Sequence, residues 1–270
     1  MTESAGGQIN SAGPISVGGA VKFRAPDGVT PVVGNSFVLM SGSAITGTFT
    51  SGDFPTPPLG SDWDLSVGPT EVRLTLVDLG QVGPLAIGDG SASPQHSRIT
   101  KIDVAFDGLV DIDPGAFEVR KRDPEGGVVA TSFVVNTDPQ GNSVATLTFS
   151  GALTRGLDAA LVDGNYQLTI DPSKVRRAGT SVTLDGNNDG LQGGDYSYGT
   201  LATDDFFALY GDSDGDRDVD GQDYGRFGLT FLKSSGDPGF NPAMDSDGDG
   251  DVDGQDYGRF GQRFLKMLPF

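Results

Sequence analysis

The sequence has no cysteine, one histidine, one tryptophan, and only 18 lysines and arginines against 37 aspartates and glutamates. Without thiols there are no disulfides, no cysteine nucleophile and no zinc–thiolate centre, while the redox compartment stays open. The single histidine, His96, is the only candidate for a Ser–His–Asp relay. It sits at the end of a Gly-, Ser- and Pro-rich stretch, Leu79 to Ser97, that reads as a linker, so a triad is not expected. A formal net charge of −19 disfavours nucleic acid and anionic membrane surfaces as partners. No apolar run reaches membrane-spanning length. The opening residues, Met1 to Gly7, carry neither a basic nor an apolar leader region, which points to a truncated start.

Glycine (42 residues) and proline (16) are plentiful, and short β-type runs separated by turn residues dominate up to residue 203. Over residues 1–79 the expected strands are Ala20–Arg24, Ser36–Met40, Gly47–Thr50, Trp63–Val67 and Glu71–Val77. In the last of these Val72, Leu74 and Leu76 alternate with Glu71, Arg73 and Thr75, the period of a half-buried strand. Over 98–203 they are Arg98–Phe106, Phe117–Arg122, Val128–Asn136, Val144–Phe149, Tyr166–Ile170 and Ser181–Leu184. Turn signals such as Asp113-Pro-Gly and Asp163-Gly-Asn separate them, and the pattern is that of an Ig-like β-sandwich. Asp62 and Asp64 flank Trp63, but strand neighbours point to opposite faces, so no acid/base pair can be nominated.

The last sixty residues contain one segment written twice. Asp212 to Gly228 and Asp245 to Gly261 are offset by 33 residues and differ only at Arg217 against Gly250. Oxygen-bearing side chains fall at positions 1, 3, 5, 7, 9 and 12, the ligand rhythm of an EF-hand loop around calcium. In the first loop the side-chain ligands are Asp212, Asp214, Asp216 and Asp223, with the main-chain carbonyl of Asp218 and a water held by Asp220. In the second they are Asp245, Asp247, Asp249 and Asp256, with the carbonyl of Asp251 and a water held by Asp253. Position 12 is Asp where the EF-hand pattern has Glu. Position 6, which favours positive φ, is Gly250 in one loop and Arg217 in the other, so the first site is expected to be the weaker. Carboxylates this dense repel one another, and folding should depend on the metal. Residues 204–270 hold fifteen Asp against six Lys and Arg.

After each loop, Tyr224, Phe227, Phe231 and Leu232, and Tyr257, Phe260, Phe264 and Leu265, recur at helical spacing. Gly225, Gly228, Gly258 and Gly261 disfavour those helices. Close approach of the two helices is the favoured explanation, and a small-residue strip against a partner is the other. A third acidic loop runs from Asp185 to Asp195. Asp185, Asn187 and Asp189 open an EF-like register, which breaks at Gly193 and Tyr196; Asp195 could close the site. It reads either as a third calcium site or as a flexible Asx-rich hairpin.

Two tandem D-x-D-x-D-x-D-x-D-x-x-D loops, each followed by an apolar helix with no helix before the loop, resemble a type I dockerin domain. The resemblance covers residues 204–270, and Asp at position 12 agrees with it. It implies two bound calcium ions and docking to a cohesin-like domain in an extracellular, polysaccharide-degrading assembly. The partner-reading positions it implies are Gly221, Gln222, Gly254 and Gln255, where the cellulosomal pattern has Ser or Thr. More loosely, Val33–Met40, Ile45–Phe49 and Trp63–Leu65 resemble the closing turns of β-solenoid bacterial surface proteins, with a small antiparallel sheet as the alternative.

The fold expected is mainly β. It comprises a β-solenoid end or small sheet (1–79), a linker (80–97), an Ig-like β-sandwich (98–203) and a small α-helical dockerin-like module with two EF-hand-type loops (204–270). The function expected is non-catalytic, calcium-dependent attachment to a cohesin-like domain or other surface protein, outside the cell. The alternatives are the C-terminal part of a glycoside hydrolase or lyase, and a purely structural calcium brace.

Overall fold

The computed structural model describes residues 7–24, 30–88, 95–122 and 126–270, and the backbone of Thr2–Glu3. Residues 89–94 of the stretch read as a linker, and most of the opening Met1–Gly7, lie outside the described residues. The chain is mainly β, with two α-helices, α1 (Gly221–Thr230) and α2 (Gly254–Gly261), among the described residues. It divides into two compact units, each assembled from separate segments. The first holds residues 1–81, 110–113 and 172–194, and the second holds 82–109, 114–171 and 195–270.

Stacked short strands build the first unit. Ile9–Asn10, Ile15–Val17 and Ala20–Lys22 pair in parallel with the chain 30 or 31 residues on, so that Ile9 faces Met40, Ile15 faces Ile45 and Ala20 faces Ser51. Stacking in this register places Ile15 over Ile45, and both are buried with Val72. Ser36–Ser41, Glu71–Asp78 and Ser61–Val67 continue the sheet in antiparallel sense. The alternation read from Val72, Leu74 and Leu76 holds, since all three are buried while Glu71, Arg73 and Thr75 are not. The strand expected at Gly47–Thr50 is instead two strands, Ile45–Gly47 and Ser51–Asp53. Gly47 turns the chain between them at φ +90, where a side chain would collide with the Val17 carbonyl.

In the second unit seven strands form one continuous antiparallel path. The spatial order is Val82–Gly88, Lys101–Phe106, Ser143–Ser150, Gly127–Thr137, Phe117–Lys121, Gly164–Ile170, Tyr196–Tyr198, and Phe207–Ala208 also pairs with Gly164–Ile170. Val82–Gly88 is thus a paired strand inside the stretch read as a linker. Gly127–Thr137 belongs to both halves of the path. Its start pairs with Val119–Lys121, and from Ala130 on it pairs with Ser143–Ser150. Period-two burial runs through both halves: Ile102, Val104 and Phe106; Ala145, Leu147 and Phe149; Tyr166, Leu168 and Ile170. Ser181–Leu184, expected as a strand, contributes only a single β-bridge, Thr183 to Arg176.

The C-terminal repeats belong to this second unit and have their own core: Phe207, Leu209, Tyr210, Val219, Phe227, Met244, Val252 and Phe260. Position 8 of each loop, Val219 and Val252, is fully buried there. Each loop pairs with the chain that follows the opposite helix. Val219 exchanges backbone hydrogen bonds with Leu265 and Lys266, and Val252 with Leu232 and Lys233, at 2.7–2.9 Å. Leu232 and Leu265 both take φ 63, so the two halves are related by a pseudo-twofold that the duplicated sequence dictates.

The helices are shorter than the aromatic spacing implied. α1 ends at Thr230, and Leu232 is 76% exposed. Close helix–helix approach does not explain the glycines: a Cβ built at Gly225, Gly228, Gly258 or Gly261 meets nothing within 4 Å.

Candidate metal centre

Each loop is shaped by backbone N–H groups captured by its first aspartate. Asp212 accepts from Gly215 N (2.6 Å) and Arg217 N (3.0 Å), and Asp245 from Gly248 N (2.7 Å) and Gly250 N (3.0 Å). Such short-range Asx geometry is what an aspartate at a turn does. Position 9 then caps the helix: Asp220 accepts from Gln222 N (2.7 Å) and Asp253 from Gln255 N (2.6 Å). Position 12 answers as the third residue of a capping box, Asp223 accepting from Asp220 N (2.9 Å) and Asp256 from Asp253 N (2.8 Å). Asp suits position 12 here because it sits in the first helical turn, fully buried and already facing the loop.

The result is four groups of carboxylates: Asp212, Asp214 and Asp223; Asp218, Asp220 and Asp223; Asp245, Asp247 and Asp256; Asp251, Asp253 and Asp256. Within each, one oxygen per residue lies within 4.8 Å of the others. Calcium–oxygen distances of about 2.3–2.6 Å leave ligands at most ~5 Å apart, so the spacing fits that ion. Oδ1 of Asp214, Asp218 and Asp251 is shut off from solvent and has no hydrogen-bond partner. A buried carboxylate oxygen left so is costly unless a cation meets it. Asp218 and Asp251, read as main-chain ligands, also bring their carboxylates into the clusters. Asp216 and Asp249 stand outside these groups, and each accepts from the amide two residues on, at 3.3 and 3.2 Å.

The electrostatics agree. The Asp212 carboxyl is pushed up to about 7, first by burial and then by the charges of Asp223 and Asp216, against the downward pull of its two N–H donors. Asp214, Asp218, Asp245 and Asp251 are also raised, by lost solvation first and neighbouring carboxylates after.

Residues that the ligand pattern does not single out hold the frame. Ser213 and Ser246, at position 2, each donate both N–H and O–H to the position-12 carboxylate, at 2.7–2.8 Å. Arg226 and Arg259 reach back to those hydroxyls and to Asp214 (3.1 Å) and Asp247 (3.0 Å). Both pairs recur at the 33-residue offset, which was the available signal. Arg217 does adopt φ 73. Its guanidinium lies 4.1 Å from the Phe207 ring centroid and donates to Asn165 Oδ1 at 2.8 Å. These contacts, about 0.5–2 kcal/mol for the cation–π pair alone, offset the left-handed backbone that was expected to weaken the first loop.

His96 is packed and not part of an open linker. Its ring stacks on Phe207 at 3.9 Å, its Nδ1 lies 2.9 Å from the Phe207 carbonyl, and its backbone N–H donates to the Asp212 carbonyl at 3.2 Å. In the 185–195 loop, Asp185 is buried and accepts from Asp189 N (3.1 Å) and Gly190 N (2.8 Å), while Asn187 donates to Asp189. Asp185 to Asp189 belong to the first unit and Asp195 to the second. Among the described residues, groups of three or more acidic ligands occur in the two repeats and not in this loop. Gly221, Gln222, Gly254 and Gln255 are exposed at the starts of α1 and α2.

No family model, curated protein or solved structure matches the chain.

Proposed function

We propose that residues 204–270 are a dockerin-like module that binds one calcium ion in each repeat and attaches the protein to a partner, without catalysis of its own. The carrying observation is that carboxylates at equivalent positions cluster in both repeats, with buried, unpartnered oxygens on Asp214, Asp218 and Asp251. Asp212, Asp214, Asp216, Asp220 and Asp223 would hold the first ion and Asp245, Asp247, Asp249, Asp253 and Asp256 the second, with Asp218 and Asp251 adding main-chain or carboxylate oxygen.

The preceding strands are read as an Ig-like sandwich, and residues 1–79 as the end of a β-solenoid, supported by parallel stacking at a 30- to 31-residue repeat. Oxygen-only sites of this type suit millimolar calcium, so an extracellular or cell-surface setting linked to polysaccharide breakdown is the setting proposed. No helix of the described residues is long and apolar enough to cross a membrane. The partner would be a cohesin-like domain or another surface protein, met through Gly221, Gln222, Gly254 and Gln255.

Surface plasmon resonance of the full chain against a cohesin domain, in calcium and in EDTA, tests the attachment. Calcium-dependent binding weakened by Gln222→Ala with Gln255→Ala is the expected result. Absence of binding by a calcium-loaded chain would leave the loops as a structural brace.

A further inference from the structure

A niche lies behind each calcium loop, and the two copies differ in a telling way. In the first repeat it is lined by Ser213, Arg226, Leu229 and Thr230 and by the segment that joins the repeats. That copy is satisfied internally, with Lys233 donating to the Pro238 carbonyl (2.5 Å) and Thr230 accepting from Asn241 N (2.8 Å). In the second repeat the equivalent positions are Ser246, Arg259, Gln262 and Arg263. Its far wall comes from the same unit and includes Lys121 at the end of a sheet strand, Arg155 and Asp163. The cleft measures about 500 Å³.

Four cationic side chains therefore line one cleft in a protein of net charge −19. Two of them are already paired, Arg263 with Asp163 (2.7 Å) and Arg259 with Asp247 (3.0 Å), and Asp163 also accepts from Tyr210 N (3.0 Å). Arg155 spends its two terminal nitrogens on the carbonyls of Ser246 (2.7 Å) and Ser97 (2.6 Å). Its Nε–H, closed off from solvent, has no partner. The Lys121 ammonium makes no hydrogen bond or ion pair among the described residues. Gly164 clears a path for its stem, since a Cβ there would collide with Lys121 Cε. The charges of Lys121 and Arg155 meet no carboxylate within ion-pair distance among the described residues, and an oxyanion is the ligand that answers them through charge-assisted hydrogen bonds.

We propose that this cleft is an oxyanion site, taking the carboxylate or sulfate group of a small acidic ligand. Lys121, without a partner among the described residues, is its contact, Arg155 adds positive charge beside it, and Arg259 and Arg263, each shared with a carboxylate, form its rim. The site uses none of the proposed calcium ligands, although Arg259 also pairs with Asp247, and it does not depend on a cohesin-type partner.

Calorimetry on the calcium-saturated full chain, with glucuronate, glucose 6-sulfate and glucose as probes, tests the assignment. One or both charged sugars should bind with millimolar affinity while glucose does not, and which of them binds distinguishes carboxylate from sulfate. Lys121→Gln should weaken that binding about tenfold and Lys121→Glu abolish it, with calcium stoichiometry and melting temperature unchanged. Absence of binding by both charged sugars, or binding that neither Lys121 variant alters, would overturn the proposal. Because calcium stoichiometry is read in the same samples, failure of the calcium reading is seen separately.

Discussion

Asp212 carries the clearest consequence at the residue scale. Its carboxyl is raised from the ordinary 3.8 to about 7 in the folded, metal-free chain, so the folded state binds a proton there more tightly than the unfolded state does. Stability of the metal-free protein should therefore fall as pH rises from about 4 to 7. Calcium, which needs the carboxylates ionised, should reverse that slope. Thermal melts of the chain and of Asp212→Asn at pH 5 and pH 7.5, with EDTA and with calcium, check both signs apart from His96, whose pKa burial lowers and which opposes the trend. A pH slope unchanged in the variant would contradict the cluster electrostatics. Arg217 gives a second prediction. Arg217→Gly relieves a left-handed residue worth roughly 1–2 kcal/mol, but it removes the Phe207 and Asn165 contacts. Cation–π and hydrogen-bond contributions together are about 1–3 kcal/mol, so the variant should be no more stable than the parent in urea unfolding. A clear gain would mean that the guanidinium contacts contribute little.

Among the elements, the two short helices were legible in their starts and not in their lengths. A helix was expected after each loop, and each begins where Asp220 or Asp253 and Asp223 or Asp256 form a capping box. The ends were misread because Phe231, Leu232, Phe264 and Leu265 continue an apolar helical rhythm. The backbone after each helix instead leaves it to pair with the opposite loop, a long-range competition that local periodicity cannot report. Gly225 and Gly258 face open space, so Gly225→Ala and Gly258→Ala should each stabilise the chain by about 0.5–1 kcal/mol. Denaturant midpoints measure this, and destabilisation would mean that those positions are packed in solution. The β elements were mostly legible, since alternation at Ile102–Phe106 and Glu71–Val77 reports one buried face directly. Val82–Gly88 was hidden because two glycines and a proline within it read as linker.

For the whole molecule, pairing of distant segments was beyond the sequence. No local pattern shows that the repeats share a compact unit with the seven-stranded sheet, or that residues 172–194 join the first unit. The joints are specific and buried. Ser97 Oγ accepts from Gly211 N (2.9 Å) and donates to the Ala243 carbonyl (2.6 Å), and Arg98 donates to the Pro242 carbonyl (2.7 Å). Ser97→Ala leaves two buried groups unpaired, which costs about 1–3 kcal/mol, so melting of the full chain should drop by several degrees, roughly 2–4 °C per kcal/mol at this size. An unchanged melt would argue that the repeats and the sheet unfold apart. The duplication itself was legible, because sequence identity at a fixed offset is local; the ligand reading placed on it is what calcium titration tests. The most direct test of the account is calcium stoichiometry of the metal-stripped full chain by titration calorimetry, alongside the Asp245→Ala variant. Two ions per chain, falling to one in the variant, is the predicted result; no binding at millimolar calcium would contradict it.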